Sequence, residues 1–219
     1  MHRATAPILA LLAFQASSAM AYVAEKAPPD LPYASSLTHD KGESWTYRNP
    51  KLDLRSYRQF LIDPSVVYQG ADAQFDGVDP ADRTKFAQIM TEALREEVGR
   101  SFPIATQPGD NVATLRLTLL GVDETKGGVA TATRVTPMGF ALSAVKSVAG
   151  KSGTFTGSVL FAIELIDSKT GELQIAAIRR ESPDALDIPA TVSTTNTVKA
   201  VAQSVAKQVR ERLEGAAGR

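Results

Sequence analysis

Ser143-Ala144-Val145-Lys146, Ser204-Val205-Ala206-Lys207 and Lys169-Thr170-Gly171 come nearest to reactive chemistry in this chain. Ser-x-x-Lys combined with Lys-Thr-Gly and a Ser-x-Asn-type element is the pattern of serine β-lactamases and penicillin-binding enzymes, in which the serine is the nucleophile. In those enzymes Lys-Thr-Gly comes last and lies on a strand lining the site. Here it falls in the turn of an expected hairpin, and Thr194-Thr195-Asn196 follows it. The pieces lack the context that the chemistry requires. Gly150-Lys151-Ser152 likewise resembles the end of a phosphate-binding loop, but Val145 stands where the motif needs its first glycine. That segment also leads toward a strand instead of opening a helix.

Other reactive residues are scarce. The chain has no cysteine, which removes thiol catalysis, disulfides and zinc-thiolate sites. Of its two histidines, His2 lies in a leader-like segment and His39 in a polar stretch rich in turn formers. One imidazole cannot build a zinc site that needs two or three. Asp72, Asp76, Asp79 and Asp82 do not follow the alternating ligand positions of a calcium loop, and helix capping accounts for the last two. A paired-carboxylate glycoside hydrolase depends on a separation in space that a sequence does not display, and no pair is singled out. The expectation is a chain without catalytic residues, metal or cofactor, hence not an enzyme.

The leader-like segment is Met1 to Ala21. Arg3 supplies its charge, Ile8 to Phe14 its apolar centre, and Ala19-Met20-Ala21 a small-x-small cleavage site. The apolar centre is too short to span a bilayer of about 30 Å, so 1–21 reads as a secretory signal peptide. Cleavage after Ala21 leaves residues 22–219 with 23 basic and 24 acidic residues, since Arg3 is lost from 24 of each. Position 22 is tyrosine, so no lipid is attached there. A periplasmic or secreted protein is expected, with no membrane span in the mature chain. Its near-neutral charge argues against nucleic-acid binding, which needs a clustered basic face.

Several elements must position whatever the chain does. Residues 22–52, with Pro28, Pro29, Pro32 and Pro50, predict an extended or disordered tail in which Trp45 and Tyr47 form a local staple. A single α+β domain is expected over 53–215. Tyr57 to Asp63 predicts a strand. A helix follows, started by Asp79-Pro80 and striped by Phe86, Ile89, Met90, Ala93, Leu94 and Val98. Val112 to Leu120 alternates like a half-buried strand. Phe155 to Asp167 and Leu173 to Ala177 predict a hairpin closed by Gly171 in the left-handed conformation. Thr195 to Leu213 predicts a second helix striped by Val198, Val201, Ala202, Val205, Val209 and Leu213. Residues 125–154 form a glycine-rich insertion. The fold class is α+β, a mostly antiparallel sheet flanked by two main helices.

The order Phe60-Leu61-Ile62-Asp63-Pro64, capped helix, Leu115-Arg116-Leu117-Thr118, Phe161-to-Glu172 hairpin and C-terminal helix resembles the bacterial envelope family catalogued as domain of unknown function 3313. The resemblance covers about three quarters of the chain and implies an envelope protein, with no catalytic residues to carry over. Many members look like lipoproteins; this chain departs from them at the cleavage site. A broader likeness is to small periplasmic domains in which helices flank a sheet, and such a likeness does not assign function. The leading expectation is a non-catalytic module that binds another envelope protein through a sheet face or edge and the insertion. The alternative is a carrier or sensor of a small apolar ligand, with Met138, Phe140, Leu142 and Val145 as its contacts.

Overall fold

The protein is known from a computed structural model, which describes residues 27–39, 44–125, 157–183, 190 and 192–218. Among these residues the strands are β1 (Thr38–His39), β2 (Trp45–Arg48), β3 (Gln59–Ile62), β4 (Val66–Val67), β5 (Ile104–Ala105), β6 (Val112–Asp123), β7 (Ser158–Asp167) and β8 (Leu173–Glu181). Two α-helices join them, α1 (Pro80–Gly99) and α2 (Thr194–Ala217). All eight strands make one sheet in the order β1-β2-β8-β7-β6-β3-β5, with β4 continuing beside β6 beyond β3. The pairings across β1, β2, β8, β7 and β6 are antiparallel, whereas β3, β4 and β5 pair in parallel. A parallel return requires a crossover, and α1 supplies it between β4 and β5.

The two helices lie on one face. Phe86, Met90, Leu94 and Val98 of α1 are buried with Val198, Val201 and Val205 of α2 against Phe60, Leu117, Leu119 and Phe161 of the sheet. Phe102 meets Phe60 edge-on at 5.0 Å between ring centres, just beyond the end of α1. Ser193 caps α2 by accepting from the Asn196 amide. Asp79 holds the N-cap position of α1, but its side chain makes no capping bond there; Pro80 and the extended backbone of Asp79 mark the start. Arg210 of α2 reaches Glu97 of α1 at 3.1 Å and Glu214 of its own helix at 2.9 Å, linking the two helices above the sheet.

The opposite face is covered too. Leu31, Tyr33 and Leu37 pack with Tyr68, Leu120, Leu160, Ala162, Ala176 and Ile178, and Trp45 and Tyr47 flank them from β2. The segment 27–39 is therefore a strap across the back of the sheet. The Asp30 amide donates to the Tyr68 hydroxyl at 3.3 Å, and that hydroxyl donates to Asp72 at 2.9 Å. Two sequence expectations change as a result. Of the stretch 22–52, expected as a tail, the described residues 27–39 are seated on the sheet and Trp45 to Arg48 pair within it. β6 is not half-buried: Thr114 and Thr118 on its polar side are each 6% exposed.

The hairpin turns where expected, with Gly171 at φ 73°. Asp167 accepts from the Lys169 amide and from both the amide and hydroxyl of Thr170, which closes the turn. A bulge at Gln174 shifts the register, so Leu173 pairs with Ile166 and joins the strap side, not the face it would share with Ile175 by strict alternation. The glycine-rich insertion lies almost wholly outside the described residues.

Candidate functional site

Met138, Phe140, Leu142 and Val145, the expected ligand contacts, lie outside the described residues, as do Ser143, Lys146 and Gly150-Lys151-Ser152. The remaining motif residues are accounted for within the fold. Lys169 makes an ion pair with Asp110 at 2.6 Å, and Ser204 and Lys207 are exposed on α2. His39 is exposed and meets Trp45 edge-on at 5.0 Å. Asp72 accepts from Tyr68, and no cluster of three His, Cys, Asp or Glu able to hold a metal occurs among the described residues.

The structure instead brings together residues that periodicity alone did not combine. Along the helix-facing side of β8, Ile175, Ala177 and Arg179 alternate, opposite Leu165, Ile163 and Phe161 of β7. α2 crosses this side, but Ile163, Ile175 and Val209 remain only half-buried. The space between them is a cleft of about 130 Å³ that also touches Leu54. Arg179, Glu181, Gln208 and Arg212 form the polar part of its lining, and the exposed Arg212 stands at its mouth. Such a combination of apolar wall and few convergent polar groups is the usual character of a binding site. Arg179 carries the sequence signal, a charged residue at an inward position of an apolar strand. The partner wall on α2 had none.

A second polar group lies on the strap side of the sheet. Arg116 bonds Asp63 through two nitrogens, at 3.1 and 2.9 Å. Glu164 stands opposite Arg116 in register and is 6% exposed. Burial raises its carboxyl above the ordinary glutamate range, opposed by the Arg116 charge and reinforced by Asp63. Tyr33 covers the group, its hydroxyl buried without a hydrogen-bond partner among the described residues. Burial, with the nearby Glu164 charge, also pushes the Tyr33 phenol up. The Arg116–Asp63 pair ties β6 to the end of β3.

The family model described as protein of unknown function (DUF3313) matches residues 32–209. The chain belongs to this family. The match begins inside the strap and ends within α2, so it takes in both covers of the sheet. No curated protein matches the chain. Among solved structures, the DUF3313 chain is similar to the PelC dodecamer from Paraburkholderia phytofirmans, with 15% identity over 78% of this chain and 95% of that one, at a TM-score of 0.38. A protein from Xanthomonas campestris assigned to DUF330 shares 12% identity over 74% and 86%, at 0.36. A DUF4136 protein from Bacteroides thetaiotaomicron shares 10% over 78% and 97%, at 0.34. Among the described residues of this DUF3313 protein, no helix is long and apolar enough to cross a membrane.

Proposed function

We propose that this DUF3313 protein is an exported, non-catalytic component of the bacterial cell envelope that binds another protein through the cleft between α2 and the β7–β8 hairpin. The observation that carries the reading is the size and chemistry of that cleft. Small-molecule sites enclose roughly 300–1,000 Å³, and this cleft has about 130 Å³. It accommodates a single apolar side chain better than a whole ligand, which favours a protein partner over a carried metabolite. Apolar residues left half-buried beside a charged mouth are the arrangement in which an interface seats an anchor.

Export rests on the Met1-to-Ala21 segment, whose charge, short apolar centre and Ala-Met-Ala end fit a cleaved signal peptide. The mature chain then starts at Tyr22 and is unlipidated, so any attachment to a membrane runs through the partner. N-terminal sequencing of the exported protein tests this, and an intact Met1 overturns it.

For the binding itself, a photo-crosslinking residue in place of Gln208, in cells of the native host, is expected to give one adduct of defined mass. A second substitution, Val209→Trp, fills the cleft and abolishes that adduct, whereas a crosslinker at the exposed Lys85 on α1 gives none. Adducts that ignore the Val209 change, or no adduct from position 208, overturn the reading.

A further inference from the structure

Four arginines near the hairpin and α2 fall into two classes. Arg180 points to the strap side of β8 and is bonded to Asp123 and Ser158, each at 2.7 Å, and to Gln74. Arg210 is bonded to Glu97 and Glu214. Those two guanidinium groups serve the fold. Arg179 and Arg212 make no ion pair among the described residues, and both line the cleft. The Nε–H of Arg179, like that of Arg180, is buried with no acceptor among the described residues, but Arg180 spends its other nitrogens on the fold whereas Arg179 does not. A desolvated donor without a partner is a standing cost that a substitution on this strand would relieve.

The charges facing them do not neutralise them. Among the described residues lining the cleft, Glu181, two residues along β8, is the acid on the helix-facing side, and it makes no ion pair with either guanidinium. Glu164 borders the cleft through its strand, but its side chain is on the strap side, opposite Arg116. The cleft thus presents aliphatic walls beside two guanidinium groups that make no ion pair among the described residues. A guanidinium is built to take a carboxylate through two parallel N–H bonds.

Resting on the protein-binding reading above, we infer that the cleft recognises a partner segment in which an aliphatic side chain lies next to a carboxylate. The side chain enters between Ile163, Ile175 and Val209, and Arg179 and Arg212 receive the carboxylate. Charge complementarity selects the segment; the volume limits it to one side chain.

The probes are N-acetyl-leucine, which carries both features, N-acetyl-leucinamide, which lacks the charge, and octanoate, which offers an acyl chain instead. Each is titrated into the exported protein while the methyl resonances of Ile163, Ile175 and Val209 are followed by NMR. The acid is expected to bind roughly tenfold or more tightly than the amide, the size of effect a charged hydrogen bond supplies. Arg179→Gln and, separately, the surface change Arg212→Gln each lower that preference several-fold, and the double substitution brings acid and amide to within about twofold of each other. Equal binding of acid and amide to the unsubstituted protein, no binding of the acid, or octanoate binding more tightly than the acid overturns the inference. If the Gln208 crosslink survives while acid and amide bind equally, the carboxylate reading alone fails. Loss of that crosslink brings down the protein-binding reading itself.

Discussion

Arg116 and Glu164 stand directly opposite each other across β6 and β7, yet the Arg116 guanidinium bonds Asp63 at 2.9 Å instead. Glu164 is left buried beneath the strap without an ion pair of its own among the described residues. Desolvation therefore dominates its titration and favours the neutral acid in the folded state.

The pH dependence follows from that direction. A carboxyl whose folded pKa is raised contributes its full stability below the ordinary value of 4.5 and loses it as pH rises through the folded pKa. Glu164→Gln removes the loss. Its melting temperature should match the unsubstituted protein near pH 4 and exceed it at neutral pH. A variant less stable than the parent at pH 7 would mean that the Arg116 charge outweighs burial.

Tyr33 offers a test of the strap. Its hydroxyl is buried with no partner among the described residues, and its ring packs among Leu31 and Leu37. Removing an unsatisfied buried hydroxyl while keeping the ring should stabilise the protein by about 1 kcal/mol. Urea unfolding of Tyr33→Phe measures this; a destabilisation of similar size would show that the hydroxyl has an acceptor after all.

The hairpin turn makes the opposite pH prediction. Burial alone would raise the Asp167 carboxyl, but bonds from the Thr170 amide and hydroxyl, Tyr57 and the Lys169 amide outweigh it and hold it below its usual 3.8. Tyr57, which donates to Asp167 at 3.1 Å, is pushed up to about 12, chiefly by burial. Asp167→Ala should cost about 1–2 kcal/mol at pH 7 through the lost bonds. A lowered pKa contributes stability that is present above the unfolded value and lost as pH falls through the folded one. The gap between variant and parent should therefore narrow below pH 3.8. A gap that stays constant into strong acid would sink the assignment.

Gly121 sits beside the bulge at Leu120, where the Gln74 backbone pairs in parallel alongside β6. A Cβ there would lie 2.5 Å from the Gln74 carbonyl oxygen and 2.6 Å from its Cβ. Gly121→Ala forces this pairing apart and should cost about 1–3 kcal/mol, as overpacking does. Thermal unfolding reads the change directly, and a neutral result would show that the 70–78 segment yields without penalty.

Much of the fold was legible in the sequence because its signals are local. The stripes of α1 and α2 repeat at helical spacing, Pro80 marks the first start, and Gly171 adopts the left-handed turn that its place between two alternating runs requires. These features depend on neighbours within a turn or two of the chain. The family likeness followed from the order of the same elements.

Only the tertiary structure decided what covers them. Leu31, Tyr33 and Leu37 sit among prolines without helical or strand periodicity, so nothing local showed that they bury the back of the sheet. Their burial depends on strands more than a hundred residues away, and it turns β6 from half-buried to buried on both sides. Register bulges at Leu120 and Gln174 likewise move side chains between faces in a way strict alternation does not reveal. The cleft has the same origin. Its walls come from β7, β8 and α2, and Arg179 becomes a binding candidate only because α2 leaves Ile175 and Val209 partly open beside it. Periodicity names the face a residue occupies, whereas long-range packing determines whether that face is filled.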